Sequence, residues 1–164
     1  MGSTTSAPKL LPKPIMGKWT HLLAFGFGAG CSPRAPGTMG TLLAVGIYLP
    51  LSHLPLSAYA LVLLVVSLGG IWLCDQASRD LGVHDHPGIV WDEIAGYLLT
   101  MFAAPPGLLW IAVGFAFFRL FDIWKPWPIG WLDRRVSGGL GIMLDDLVAG
   151  VFAAVCLQLL AVWL

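Results

Sequence analysis

The sequence predicts an all-α fold: a multi-pass transmembrane helical bundle of about five membrane helices, in two hairpins plus a C-terminal span, behind an N-terminal interfacial helix or loop. Three observations predict it. Of 164 residues, 57% are hydrophobic and 11% charged, whereas a soluble domain carries about 25% charged residues. So few charges cannot clothe a water-facing globule. The charges that exist fall into islands, separated by three uncharged regions at 35–74, 94–118 and 147–164. Eight tryptophans suit the headgroup level of a bilayer, where the indole ring is half wet.

The elements follow in order. Met1 to Lys18 is polar and Pro-rich with no apolar core of a secretory signal. Residues 1–16 read as a disordered cytoplasmic tail, and 17–164 as a single membrane-embedded domain. The first uncharged region is broken at Pro50-Leu-Ser-His-Leu-Pro55, which gives a hairpin with spans near 39–52 and 56–74. The last region fits one span of roughly 18 residues, about the minimum for a bilayer core. Gly138, Gly139 and Gly141 are expected to break the chain ahead of it and let it turn sharply. The middle region is divided by Ala103-Ala-Pro-Pro-Gly107 into halves of roughly a dozen residues, each too short to cross alone.

Loop charge decides how the middle region is arranged. With two hairpins and a cytoplasmic N-terminus, every Lys, Arg, Asp and Glu falls on the cytoplasmic side, and the connections at 50–55 and 103–107 carry no charge. A single kinked span would put Arg119, Lys125, Arg134 and Arg135 outside, against the positive-inside tendency. The two-hairpin arrangement makes the middle helices borrow from the charged islands. Asp92, Glu93, Arg119 and Asp122 then lie at or just inside the interface, and Asp145 and Asp146 open the last span. Ionisable groups at that depth are costly, pair with one another and mark functional sites. The plainer reading is that carboxylates cap helix N-termini, but it does not explain why three acidic helix starts converge on one side.

Other features narrow the chemistry. Zero formal net charge gives no basic face for nucleic acid. Cys31, Cys74 and Cys156 show no CxxC spacing and read as free thiols. The Gly- and Pro-rich loop from Gly26 to Gly40 is neither a Walker A sequence nor a dinucleotide fingerprint. It still has a logic: Thr38 can cap the following helix, whose free N–H groups attract anions, and Arg34 can fork onto a phosphate. The bland alternative is an ordinary turn into a helix. His84-Asp-His86 with Asp92-Glu93 forms a ligand-rich tract, and a carboxylate set favours Mg²⁺ or a similar hard ion. Arg119, Asp122 and Lys125 recur at helical spacing on one face, ahead of the helix-stopping Pro126 and Pro128. An intrahelical ion-pair ladder is the rival there, though such ladders belong on solvated helices.

Several long blocks carry a resemblance. Ser32-Pro-x-x-Pro-Gly-Thr38, His84-Asp-His86, Ile89-Val-Trp-Asp-Glu93, Phe118-Arg-Leu-Phe-Asp-Ile-Trp-Lys-Pro-Trp-Pro-Ile129 and Gly138-Gly-Leu-Gly-Ile-Met-Leu-Asp-Asp-x-x-Ala-Gly150 resemble the phosphatidylglycerophosphatase A family, in order and unbroken. The resemblance implies an all-helical, Mg²⁺-dependent phosphatase of the bacterial cytoplasmic (inner) membrane, its active site facing the cytoplasm. Such an enzyme takes the terminal phosphate from phosphatidylglycerophosphate, leaving phosphatidylglycerol.

Read with that resemblance, Glu93, Asp122, Asp145 and Asp146 would hold Mg²⁺. Asp92 would be the general base, with Asp122 and Lys125 also catalytic. Arg34, Thr38, Arg119 and Lys125 would bind the phosphate, and His84 and Asp85 would stand behind these groups. Attack by metal-activated water and attack through a phospho-aspartate both remain open. The expected partners are the lipid substrate and membrane lipid, with no nucleic acid and no obligate protein partner evident. A small multi-pass transporter is the rival from another class, but its acids should reach the midplane, and the apolar regions here are free of charge. A purely structural membrane protein would not gather every carboxylate on one side.

Overall fold

The apolar runs become helices, and prolines and glycines set where they stop. The computed structural model describes Pro14 and residues 17–163. The expected tail, residues 1–16, lies outside the described residues apart from Pro14. Among the described residues the chain is helical with no strand: α1 (Trp19–Ala24), a 3-10 turn (Gly26–Cys31), α2 (Pro36–Leu51), α3 (Leu56–Leu81), α4 (Trp91–Thr100), α5 (Leu108–Trp124), α6 (Ile129–Arg135) and α7 (Gly138–Trp163). The all-α expectation holds, and both hairpin turns fall where the prolines place them.

Two helices, α3 and α7, are long and apolar enough to cross a membrane. At 26 residues each they reach about 39 Å. Only 17% of the apolar window of α3 is buried, so the helix presents much of its apolar surface outward. Leu61, Leu64, Val65 and Leu68 point outward along it, as do Val155, Leu159 and Val162 along α7. By contrast α4, with 10 residues, is about 15 Å long, half of a hydrocarbon core of about 30 Å. Ala103 in the left-handed region (φ 55) and Pro105-Pro106 end it early. It lies buried in the middle of the bundle, with Ile94 to Leu98 and Thr100 inaccessible.

Small residues let α7 press against this central helix, as they do at helix contacts in membranes. A Cβ on Gly96 would fall 2.7 Å from the Asp146 carbonyl oxygen, and one on Gly150 would fall 2.5 Å from the Gly96 carbonyl oxygen. Thr100 Oγ1 donates to the Gly96 carbonyl at 3.0 Å. The same principle corrects one expectation. Gly139 and Gly141 do not break the chain; α7 starts at Gly138 (φ 74) and runs straight through them. A side chain on Gly139 would overlap the Ile71 carbonyl, and one on Gly141 the Val136 carbonyl. Asp145 and Asp146 therefore sit about two turns inside α7, not at its start.

Contacts at the two ends tie the helices together. At the uncharged end, Tyr59 Oη donates to the Leu98 carbonyl at 2.7 Å, and Gln158 Nε2 donates to the Ala103 carbonyl at 2.8 Å. At the other end, the Gly139 amide donates to Asp75 Oδ1 at 3.2 Å, and α1 is clamped to α3 by Lys18 and His21, each 3.1 Å from Asp80 Oδ2. The charged side chains collect at this second end, where α2, α4 and α7 begin and α3 and α5 finish.

Candidate active site

A cavity of about 270 Å³ opens at the charged end. Its walls come from four helices. Ala35, Pro36 and Gly37 lead into α2, Asp92 and Glu93 start α4, Arg119 and Asp122 lie in the last turns of α5, and Asp145 and Asp146 come from α7. Asp85 and Lys125 complete the rim from loops. A neighbouring cavity of about 550 Å³ is walled by Phe25, prolines, glycines and the buried His86, and no carboxylate lines it.

Helix geometry aims each acid. Asp92 and Glu93 occupy the first turn of α4, where the helix dipole favours negative charge. Arg119 and Asp122, one turn apart, form an ion pair, and Arg119 Nη1 also lies 3.9 Å from Glu93 Oε1. Lys125 does not continue the helical face. It caps α5 in a left-handed conformation (φ 46, ψ 54), which turns its side chain toward α6 and α7. Its Nζ donates to Asp133 Oδ1 at 2.9 Å and to Asp145 Oδ2 at 2.7 Å. Burial alone would push its ammonium down, but the hydrogen bonds to Asp133 and Asp145 outweigh that and raise it above the usual lysine range. Asp145 and Asp146 are sequence neighbours, about 100° apart around the helix, so Asp145 serves Lys125 while Asp146 turns to the α4 acids.

Charge accounting then isolates a trio. Arg119 neutralises Asp122 and Lys125 neutralises Asp145. Asp92, Glu93 and Asp146 remain, each offering one oxygen within 4.8 Å of the others. Among the described residues, Asp92 Oδ1, Glu93 Oε2 and Asp146 Oδ2 are buried without a hydrogen-bond partner, and so is Arg119 Nε. Buried polar atoms are almost always satisfied, and carboxylates crowded into one poorly solvated place disfavour one another's ionised form. The donor set is all carboxylate oxygen, the preference of a hard divalent cation.

Not every candidate from the sequence reaches the cavity. Arg34 is exposed, and Thr38 lies in the first turn of α2, which is capped by Ala35 rather than by a threonine hydroxyl. Neither lines the cavity. His84 Nε2 accepts from the Gly138 amide at 2.9 Å and so anchors the start of α7. His86 Nδ1 accepts from the Gly88 amide at 3.0 Å. Two contributors were not anticipated. Asp133 holds Lys125 from α6, and nothing in local spacing signals a partner across two prolines. Gly37 matters through what it lacks: a Cβ there would collide with Glu93 Oε1 and come 3.1 Å from Arg119 Nη1. Gly37→Ala is thus expected to lower turnover roughly tenfold and to lower the melting temperature in detergent, since the Glu93 carboxylate must shift to admit the methyl group. Phosphate release and melting on one preparation check both.

Clustered acids beside Arg119 and Lys125 suit chemistry on a phosphate group, and the class of protein this chain belongs to is that of the phosphatases. Within that class, the chain belongs to the phosphatidylglycerophosphatase A family, whose profile matches residues 22–161. It is 52% identical to the phosphatidylglycerophosphatase A of Escherichia coli (strain K12) over 135 residues, 82% of this chain and 78% of the relative. It is 41% identical to the Haemophilus influenzae protein of the same name over 147 residues, 88% of this chain and 90% of the relative. A Bacteroides thetaiotaomicron relative, named provisionally as a phosphatidylinositol-3-phosphatase, is 38% identical over 141 residues, 80% of this chain and 87% of that one. No solved structure matches the chain.

Proposed function

We propose that this protein hydrolyses the terminal phosphate of phosphatidylglycerophosphate, releasing phosphatidylglycerol and inorganic phosphate in bacterial phospholipid synthesis. The observation that carries the reading is the trio of unpartnered carboxylate oxygens on Asp92, Glu93 and Asp146, flanked by Arg119 and Lys125. Those three residues would hold Mg²⁺. A bound divalent ion supplies acidified water and neutralises charge on the transferring phosphoryl group. Arg119 and Lys125 take the outer phosphate oxygens, with Asp122 fixing where Arg119 sits and Asp145 holding Lys125 until the phosphate arrives. In the reaction the water oxygen bonds to phosphorus and gives up a proton, the bond from phosphorus to the glycerol oxygen breaks, and the departing oxygen takes up the proton the water released.

The proposed setting is the bacterial cytoplasmic membrane, with residues 17–164 acting as one unit and the site facing the cytoplasm. In this arrangement α2, α3, α4, α5 and α7 cross as two hairpins and a final span, α4 passing inside the bundle where neighbours complete its length. Uncharged turns at 52–55 and 101–107 support this orientation, with basic residues gathered at the opposite end. So does the apolar outer face of α3 and α7. The lipid's acyl chains then remain in the bilayer while its headgroup reaches a shallow site.

Purified protein should release phosphate from phosphatidylglycerophosphate in detergent micelles, and EDTA should stop it until Mg²⁺ is added back. Absence of release would remove the substrate from the proposal. Turnover indifferent to the chelator would remove the cation.

A further inference from the structure

We propose that Asp133 is a positioning residue: it tethers Lys125 at the mouth of the cavity, so that the ammonium can leave Asp145 for a substrate phosphate oxygen without swinging into solvent. This rests on reading the cavity as a phosphomonoester site. The geometry that points to it is a small bracket built by α6. Ile129, fully buried, anchors that helix, and its amide donates to the Pro126 carbonyl at 2.8 Å. Gly130 lets the helix approach closely, since a Cβ there would lie 2.8 Å from the Lys125 carbonyl oxygen. Asp133 follows on the same short helix and grips Nζ at 2.9 Å.

The two carboxylates on Lys125 differ in place. Asp145 is 7% exposed and lines the cavity, whereas Asp133 is 33% exposed and does not. An incoming phosphate competes with the inner partner alone, and the outer one is retained throughout. Lysine needs such a partner, because it is a point charge on a flexible four-carbon stem. A cation preset in this way grips the phosphate in the ground state and the transition state alike. Its loss therefore shows in KM and not in kcat.

The test compares the full-length wild type with Asp133→Asn and Asp133→Glu in detergent, measuring kcat and KM for phosphatidylglycerophosphate and direct calorimetric binding of inorganic phosphate. Losing one charge-assisted hydrogen bond predicts a KM and a phosphate dissociation constant about tenfold higher in Asp133→Asn, with kcat within about twofold of wild type. Asp133→Glu, reaching the same ammonium, should restore both. The proposal is overturned if phosphate binding and KM are unchanged in Asp133→Asn. It is equally overturned if only the maximal rate falls, which a loss of folded fraction produces, or if Asp133→Glu is as impaired as Asp133→Asn. A wild type that binds phosphate but does not hydrolyse the lipid would refute the substrate reading, while the binding comparison would still decide the tether.

Discussion

Asp146→Asn should reduce phosphate release by about a thousandfold, because the residue contributes to charge stabilisation worth several kcal/mol. It should do so without unfolding the protein. Asp146 lies in a helix that continues for more than four turns beyond it, and asparagine fills nearly the same space. The substitution should even stabilise the cation-free protein. Asp92 and Asp146 are buried beside the half-buried Glu93, with oxygens that no described residue satisfies, so replacing one acid by an uncharged amide removes an ionisable group from a low-dielectric setting where charge is costly. Thermal melting separates the two effects. In EDTA the variant should melt at or above the wild-type temperature. On adding Mg²⁺ the wild type should gain stability by mass action, and the variant should not. A variant that keeps normal turnover, or that gains as much from Mg²⁺ as wild type, would remove Asp146 from the cation seat.

The elements of this fold were largely readable because hydrophobic length and proline placement are local signals. The hairpin turn at Pro50 to Pro55 and the stop at Ala103 to Gly107 both appear in the sequence as breaks in apolar runs. What local signals cannot carry is packing. Gly139 and Gly141 looked like helix breakers, yet they lie inside α7 because Ile71 and Val136 approach its backbone closely. The consequence reached the site, since the Asp145-Asp146 pair moved from a helix start to a buried mid-helix position. The acids themselves were legible from their isolation at the edges of uncharged regions. Their division of labour was not. Asp122 and Asp145 are each matched to a cation and Asp92 joins Glu93 and Asp146 in a close trio, an outcome that depends on distances between helices far apart in sequence. Thr38 was expected to cap α2, but Ala35 in a left-handed conformation with Pro36 behind it starts the helix instead.

Arg119→Lys should cost about a hundredfold in kcat/KM, consistent with losing a charge-assisted, geometrically fixed contact to a phosphoryl group. The substitution distinguishes two roles for this residue. If Arg119 merely completed an intrahelical pair with Asp122, lysine would serve nearly as well, because an ammonium supplies the single positive charge that an i, i+3 pair needs. The surroundings argue for more. The Arg119 guanidinium reaches Asp122, lies 3.9 Å from Glu93 and keeps a buried Nε with no partner among the described residues. A planar fork can hold a carboxylate with one edge and offer the other to a phosphate oxygen, whereas an ammonium has a single charged point to share. Lysine at this position should therefore keep the pair with Asp122 and the melting temperature while losing the grip on phosphate. Activity close to wild type in Arg119→Lys would return the residue to the ladder reading and leave Lys125 as the cation that meets the substrate.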